Sequence, residues 1–182
     1  KLAKGKYVFY LDCDDEILAD TIKVHYKHAE DCDACIVRGN LVVNDGKNKK
    51  IMNEIGEWSP KLTKKQRVEK IMSKQSTTVT QLIKRNLLQK HEIQWHESIK
   101  MGEDTIFLVD VLSKAENIEY IPHDTFIYNK MPSFVLSSTQ AYGDKDLNDH
   151  INVWSYAQAK LKEVSVDYSK IRLFVGLSTS LK

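Results

Sequence analysis

The stretch Tyr7–Glu16, YVFYLDCDDE, joins an uninterrupted apolar run to a cluster of carboxylates. The five aromatic or aliphatic residues at its start predict a buried β-strand. Asp12, Asp14 and Asp15 follow that run, and unpaired carboxylates are too costly to bury. In open α/β sheets, ligands bind in the crevice beyond the carboxyl ends of the strands. The stretch therefore predicts a strand that delivers Asp-x-Asp to such a crevice, where carboxylate oxygens hold a divalent cation beside phosphate groups.

Composition restricts the class of protein. The 182 residues suffice for one domain with a core, and 42% hydrophobic and 29% charged residues are typical of a globular protein. The net charge of +2 gives no indication of nucleic-acid binding. Three cysteines supply no disulfide framework and fit a reducing compartment. No apolar run approaches the ~20 residues of a membrane span. Because the first residue is not Met and a predicted strand begins almost at once, we expect the chain to start inside a larger protein.

Periodicity and turn residues predict the elements that follow. Helices are expected over 18–30, from Thr63-x-x-Gln66 to about Ser73, from Thr78-x-x-Gln81 onward, after Gly102, over 145–163 and over 171–177. Strands are expected within 33–45 and 118–128, with loops over 46–61 and 133–143. This order predicts an α/β fold with a mostly parallel mixed sheet flanked by helices. We divide it into a portion that carries the acidic motif, 1–143, and a C-terminal helical segment, 144–182.

A second acidic pair opens one of these helices. Glu103 and Asp104 follow Gly102 and precede the apolar residues Ile106 and Phe107. Acids are favoured in a first turn by the helix dipole alone. The pair therefore has two interpretations, which are helix-start acids and site residues.

Three further patterns are less informative. The two histidines of His91–His96 are one residue too far apart for the zinc-protease motif, in which they share a helix face at i and i+4. Cys32 and Cys35 have CxxC spacing after a helix rather than at a helix start, which favours structural cysteines. Trp58 and Trp95 either stack on a bound ligand or are buried.

Two signatures together resemble those of the family 2 glycosyltransferases with the GT-A fold. They are GKYVFYLDCDD at 5–15 and GEDTIF at 102–107, supported by KRNLL at 84–88, Ile93 with WHE at 95–97, and FIYNK at 126–130 followed by Ser133. The resemblance covers about Gly5 to Ser138. It is strongest to bacterial enzymes that decorate wall teichoic acids or build surface polysaccharides.

The resemblance implies a role for each acid. Asp12 faces the nucleotide and contacts its ribose or the metal, and Asp14 ligates Mn²⁺ or Mg²⁺ at the donor's diphosphate. Asp15 either assists or caps the following helix. Asp104 is the general base that deprotonates the acceptor hydroxyl, and Glu103 positions the acceptor or tunes Asp104. A single displacement inverts the anomeric configuration.

The resemblance also implies partners and a location. The donor is a nucleotide sugar, with UDP expected, and the acceptor is a glycan, a polyol phosphate or a lipid-linked molecule. The family's N-terminal nucleotide-binding half precedes the metal motif, and only six residues precede the strand here. We therefore expect the C-terminal portion of a GT-A fold, poor at binding donor alone. A cytoplasmic location is expected, with the basic segment 61–74 either a solvated face or a contact to an anionic acceptor or the inner membrane face.

Two rivals stay open at this point. A haloacid-dehalogenase-like phosphatase also places Asp-x-Asp after a buried strand, as Asp12 and Asp14 stand here, but Glu16 occupies a position where that family has Thr or Val. The non-enzyme rival is a binding module, which is a transferase fragment that holds a polymer or a partner without catalysis.

Overall fold

One mixed sheet organises the chain. A computed structural model describes residues 2–13, 15–74, 80–99, 102–129, 144–172 and 174. The strands within these ranges are β1 Tyr7–Phe9, β2 Glu16–Ile17, β3 Ile36–Asn44, β4 Lys49–Ile51, β5 Gln81–Lys84 and β6 Ile118–Asn129. Their order across the sheet is β1-β5-β3-β6-β2, and β4 pairs with β3.

The direction of the strands places several carboxyl ends at one edge. β1 and β3 both run antiparallel to β5, and β3 runs parallel to β6. The carboxyl ends of β1, β3 and β6 therefore lie on the same side. The prediction of a mixed sheet is confirmed, but "mostly parallel" is wrong, because β3–β6 is the one parallel pair among the described strands. The other four pairings, β1–β5, β2–β6, β3–β4 and β3–β5, are antiparallel and account for the difference.

Helices cover both faces of the sheet. They are α1 Thr21–Asp31, α2 Lys64–Met72, α3 Arg85–Lys90, α4 Glu103–Lys114 and α5 Asp144–Lys162, followed by a 3₁₀ turn at Tyr168–Lys170. The larger core lies between the sheet and the α4 face, with Phe107, Leu108 and Leu112 fully buried. A smaller core lies beneath α1, around Ala29 and Val37. Because each face of the sheet is apolar, the chain buries it under helices on both sides.

Several predicted elements are confirmed. The capping box is present at α2, where the backbone N–H of Gln66 donates to Thr63 Oγ1 over 3.3 Å and the Thr63 N–H donates to Gln66 Oε1 over 2.9 Å. The predicted helices over 18–30 and 145–163 correspond to α1 and α5, and the predicted strand over 118–128 corresponds to β6. The predicted loop over 133–143 and most of the predicted helix over 171–177 lie outside the described residues.

The helix predicted from Thr78 is wrong where the structure describes it. Gln81–Lys84 forms β5 between β1 and β3, and helix α3 begins only at Arg85. Gln81, Leu82 and Ile83 are all buried, which is the pattern of a central strand covered on both faces. Pairing with two neighbouring strands overrides the helix start that the local sequence suggests for this segment.

The inner face of α1 is largely polar. Ile22 and Tyr26 are 45% and 49% exposed, whereas Thr21, His25 and Ala29 are buried. The polar groups of Thr21 and His25 have partners inside: Thr21 Oγ1 donates to the Thr125 carbonyl over 2.8 Å, and His25 Nδ1 lies 2.9 Å from the Thr21 carbonyl. Satisfied polar side chains therefore occupy the inner face.

Candidate active site

The acidic loop after β1 lies at the carboxyl edge of the sheet. Asp12 is exposed, and the backbone N–H of Asp15 donates to the Asp12 carbonyl over 3.2 Å, which closes a tight turn. Asp14, the predicted metal ligand, lies outside the described residues. The predicted position of the loop, directly beyond a strand end, agrees with the structure.

Asp15 contacts a different strand end. Its Oδ1 accepts from the backbone N–H of Asn129, the last residue of β6, over 3.1 Å. The residue that precedes α1 is Asp20, and no side-chain hydrogen bond caps that helix. The predicted alternative in which Asp15 caps the following helix is therefore wrong, because its carboxylate is engaged with β6.

The start of α4 is fixed by a glycine. Gly102 has φ +86°, and a Cβ on it would lie 3.0 Å from Val153 Cγ1 of α5. Only glycine combines that backbone conformation with so close an approach. Glu103 and Asp104 follow in the first turn, each partly buried, at the positive end of the helix dipole.

Three aromatic rings join the acidic loop to α4. The ring of Trp95 stacks on that of Phe107, with centroids 4.5 Å apart and planes at 7°. Tyr10 lies edge-on to both, at 5.4 Å from Trp95 and 5.3 Å from Phe107. Burial raises the pKa of the Tyr10 phenol. Tyr10 is two residues before Asp12 and Phe107 is three residues after Asp104, so this aromatic trio of Tyr10, Trp95 and Phe107 brings the two acidic segments to one side of the molecule.

A cavity lies beside the aromatic trio. Its volume is about 730 Å³, and Val8, Tyr10, Leu88, Ile93, Trp95 and Glu97 are among the residues that line it. Trp95 thus stacks on Phe107 with one face of its ring and also lines this cavity. Trp58 instead donates from Nε1 to Glu119 Oε2 over 3.0 Å, at the opposite end of β6. Of the two tryptophans, only Trp95 lies near the acidic segments.

Besides the contact of Gly102 with Val153, a polar contact joins α4 to α5. No sequence pattern predicted it. Tyr156 Oη donates to Asp110 Oδ1 over 2.6 Å, and His96 Nε2 lies 3.9 Å from Asp110 Oδ2. Burial, together with the hydrogen bond to Asp110, raises the pKa of Tyr156 above its ordinary range. The segment that carries Trp95, His96 and Glu97 is therefore held to the same two helices that meet at Gly102.

A buried cation on β3 is the other feature that sequence reasoning missed. Arg38 is completely buried and lies opposite Gln81 of β5 and Tyr120 of β6. Burial lowers the pKa of its guanidinium to about 10, so it stays charged at neutral pH. A basic residue inside an apolar strand was the available signal.

His123 and His150 each contact another side chain. His123 Nε2 lies 3.2 Å from Asp20 Oδ1, and His150 stacks on Trp154 with centroids 5.0 Å apart. Cys32 and Cys35 are free thiols, as is Cys13. In the part of the chain that the structure describes, no three His, Cys, Asp or Glu side chains form a group able to hold a metal ion. Within the same part, no helix has the length and apolar character that crossing a bilayer requires.

Comparison with solved structures identifies the class of fold. The crystal structure of Staphylococcus aureus TarS 1-349 in complex with UDP-GlcNAc superimposes with a TM-score of 0.70 at 17% identity, covering 98% of this chain and 48% of TarS. TarS 1-349 in complex with UDP gives 0.67 at 16% identity, with 98% and 47% covered. The chain thus spans about half the length of these structures, and the expected GT-A-like fold, present as a partial domain, is confirmed.

The sequence assigns the family. The model of glycosyl transferase family 2 matches residues 1–115, which is more than half of the chain. The chain therefore belongs to glycosyl transferase family 2, as its two acidic signatures predicted. A comparison with curated proteins gave no significant match.

Proposed function

We propose that this chain is the part of an inverting glycosyltransferase that carries the metal-binding loop and the general base. The observation that carries the proposal is the contact between Tyr10 and Phe107, which holds the loop after β1 beside the first turn of α4. Family membership supports sugar transfer. Similarity to structures of TarS with UDP-GlcNAc and with UDP supports a UDP-linked donor.

Asp104 is the proposed general base. Its carboxylate accepts the proton of an acceptor hydroxyl, while the hydroxyl oxygen attacks the anomeric carbon of the donor sugar. The bond from that carbon to the diphosphate oxygen breaks, the electron pair leaves with the nucleoside diphosphate, and the configuration inverts. The first turn of α4 keeps the carboxylate ionised. A positioned base contributes about 10²–10⁴-fold, and Glu103 beside it is the proposed contact to the acceptor.

Asp12 and Asp14 are the proposed holders of Mn²⁺ or Mg²⁺. The carboxylate of Asp12 is exposed on a tight turn, and carboxylate oxygens are the ligands that these hard cations take. When bound, the cation neutralises negative charge on the departing nucleoside diphosphate. The turn at Asp12 keeps its carboxylate in solvent at the edge where β1, β3 and β6 end, which is where a diphosphate would lie.

For the acceptor we propose a polysaccharide, a polyol phosphate or a lipid-linked molecule, met in the cytoplasm. The free thiols at Cys13, Cys32 and Cys35 suit a reducing compartment. Peripheral contact of residues 61–74 with the inner membrane face has less support, because some basic side chains of this segment bind other groups of the same chain. Arg67 is paired with Glu119, and Lys64 Nζ donates to the Ser113 carbonyl over 3.0 Å. Cosedimentation with anionic vesicles tests that contact.

The two rivals are weighed by different observations. Membership of family 2 favours transfer over a phosphatase that uses Asp12 and Asp14. The binding module is distinguished by experiment, because Asp12, Glu103 and Asp104 are present but the chain spans only about half of TarS 1-349.

Titration calorimetry with UDP, with and without Mn²⁺, tests the proposal. The expected result is Mn²⁺-dependent binding that Asp14→Ala abolishes and that Asp31→Ala leaves intact. Asp31 is a matched control, since it is an exposed aspartate at the end of α1. The full natural protein is titrated in parallel. Absence of Mn²⁺-dependent UDP binding in both samples would contradict the proposed donor site.

A further inference from the structure

Three polar residues at the carboxyl edge of the sheet converge on Asn129, the last residue of β6. Asn129 donates its backbone N–H to Asp15 Oδ1 over 3.1 Å and its Nδ2 to Glu16 Oε1 over 3.3 Å. Its Oδ1 accepts from Asn44 Nδ2 over 3.0 Å. We name Asp15, Glu16, Asn44 and Asn129 the Asn129 clamp.

The Asn129 clamp joins three strand ends. Asn44 ends β3 and lies in register with Asn129 on the parallel strand β6. Glu16 begins β2, which pairs with β6 through only two residue pairs, Glu16 with Ile127 and Ile17 with Phe126. So short a strand gains much of its register from side-chain links.

Asp15 also reaches back to the acidic loop. Its backbone N–H donates to the Asp12 carbonyl, while its side chain accepts from Asn129. One residue thus fixes the Asp12 turn at one side and the end of β6 at the other. The partly buried position of Asp15 strengthens both bonds, because water competes less for them.

We propose that Asp15 is a positioning residue that holds the Asp12 loop against β6, and that it acts through its acceptor oxygen rather than as a ligand of the cation. The inference rests on the proposed function only for the identity of what the loop binds. The two roles differ chemically, because a backbone N–H is satisfied by a carboxylate or an amide oxygen, whereas a divalent cation favours the charged group.

The test compares Asp15→Asn with Asp15→Ala in the full natural protein. The first readout is hydrogen exchange of the Asn129 amide, and the second is Mn²⁺-dependent affinity for UDP. Asp15→Asn retains an acceptor, so we expect the Asn129 amide to stay protected and the affinity to change less than about threefold. Asp15→Ala removes the acceptor, so exchange accelerates and affinity falls by about tenfold or more. Asp31→Asn is the control for the loss of an aspartate charge, and Asp31→Ala is the control for the loss of the whole carboxylate.

Two other outcomes overturn the proposal, and a third separates it from the proposed function. If Asp15→Asn loses affinity as Asp15→Ala does while Asn129 stays protected, the charge of Asp15 acts on the cation directly. If Asp15→Ala leaves Asn129 exchange unchanged, Asp15 does not hold β6. If the unmutated protein shows no Mn²⁺-dependent UDP binding, the proposed function fails, but the exchange readout still decides the clamp.

A second variant covers the case in which Asp15→Ala does not fold. Asn129→Asp keeps the side-chain volume, replaces the Nδ2 donor to Glu16 and adds a carboxylate beside two others. We expect it to displace the loop and to lower Mn²⁺-dependent affinity by about tenfold, since it loses a hydrogen bond to a charged group. Unchanged affinity in this variant would also contradict the proposal.

Discussion

The ring of Tyr10 lies edge-on to the ring of Phe107, with centroids 5.3 Å apart and planes at 78°. Tyr10 directly follows β1, the strand that leads into the acidic loop, and Phe107 stands one helical turn after Asp104. Trp95 completes the group by stacking on Phe107. Asp12 and Asp104 are 92 positions apart in sequence. The packed rings of Tyr10, Trp95 and Phe107 therefore connect the acidic loop to the start of α4.

Replacing Phe107, the central ring of this group, by a smaller side chain should weaken the packing that holds both acidic segments. We expect Phe107→Leu to lower the free energy of unfolding by about 1–2 kcal/mol, because the site is buried and loses two ring contacts. We also expect a lower transfer rate with near-native secondary structure. Denaturant unfolding followed by tryptophan fluorescence measures the first effect and initial rates measure the second.

The same substitution at an exposed ring is the control. Phe174 is 70% exposed, so Phe174→Leu should change the free energy of unfolding by less than about 0.5 kcal/mol. Equal effects of the two substitutions would show that Phe107 has no special part in the packing.

Gly102 offers a second test of how α4 is placed. Gly102→Ala combines a positive φ with a Cβ contact of 3.0 Å to Val153, so we expect a loss of about 2–3 kcal/mol of stability. Gly56 also has a positive φ, +74°, but no atom lies within 4 Å of its Cβ position. Gly56→Ala should therefore cost about 1 kcal/mol, the backbone part alone. Thermal unfolding of both variants separates the cost of backbone strain from the cost of the contact with Val153. Equal losses of stability would show that this contact contributes nothing.

Local signals account for the parts of the fold that the sequence predicts correctly. An apolar run ending in acids marks β1 and its loop, and Thr63 with Gln66 marks the start of α2. Both depend on neighbours within a few residues, which a sequence pattern records directly.

Long-range pairing accounts for the errors. Gln81–Lys84 is a strand because β1 and β3 flank it. The residue pattern of the segment itself carries no information about these two neighbours. The site shows the same limit, since the contact of Asp15 with Asn129 spans 114 positions and that of Tyr156 with Asp110 spans 46. The acids could be identified as residue types from the sequence, but which group each one contacts depends on the sheet order.

His25 makes stability depend on pH. It is completely buried, and that burial lowers its pKa from an ordinary 6.5 to about 4. Between these values the unfolded chain binds more protons, so the free energy of unfolding should fall as pH falls from 6.5 towards 4. The loss from this group is at most about 3 kcal/mol. Urea unfolding at about pH 7.5 and about pH 5 measures it.

Replacing His25 should flatten that dependence. His25→Gln keeps polar atoms near Thr21 and Thr125 but removes the titrating ring. We expect it to lower stability at neutral pH and to reduce the difference between the neutral and the acidic measurement. His91→Gln, at a partly buried position in the turn after α3, should leave the difference intact. A His25→Gln protein with an unchanged difference would assign the pH dependence to other groups.

Asp104 gives the most direct test of the proposed chemistry. Asp104→Asn keeps the shape of the side chain but cannot accept a proton from the acceptor, so we expect transfer to fall by about 10²–10⁴-fold. Metal-dependent donor binding should be spared, because the substitution lies on α4 and not on the acidic loop. Glu103→Gln is the matched control one residue earlier, and its loss should be smaller and expressed in the KM for acceptor. Initial rates with a UDP-linked sugar donor, alongside UDP affinity in Mn²⁺, measure both. Unchanged turnover in Asp104→Asn would exclude it as the base, and a loss of UDP affinity equal to the loss of rate would place Asp104 in donor binding instead.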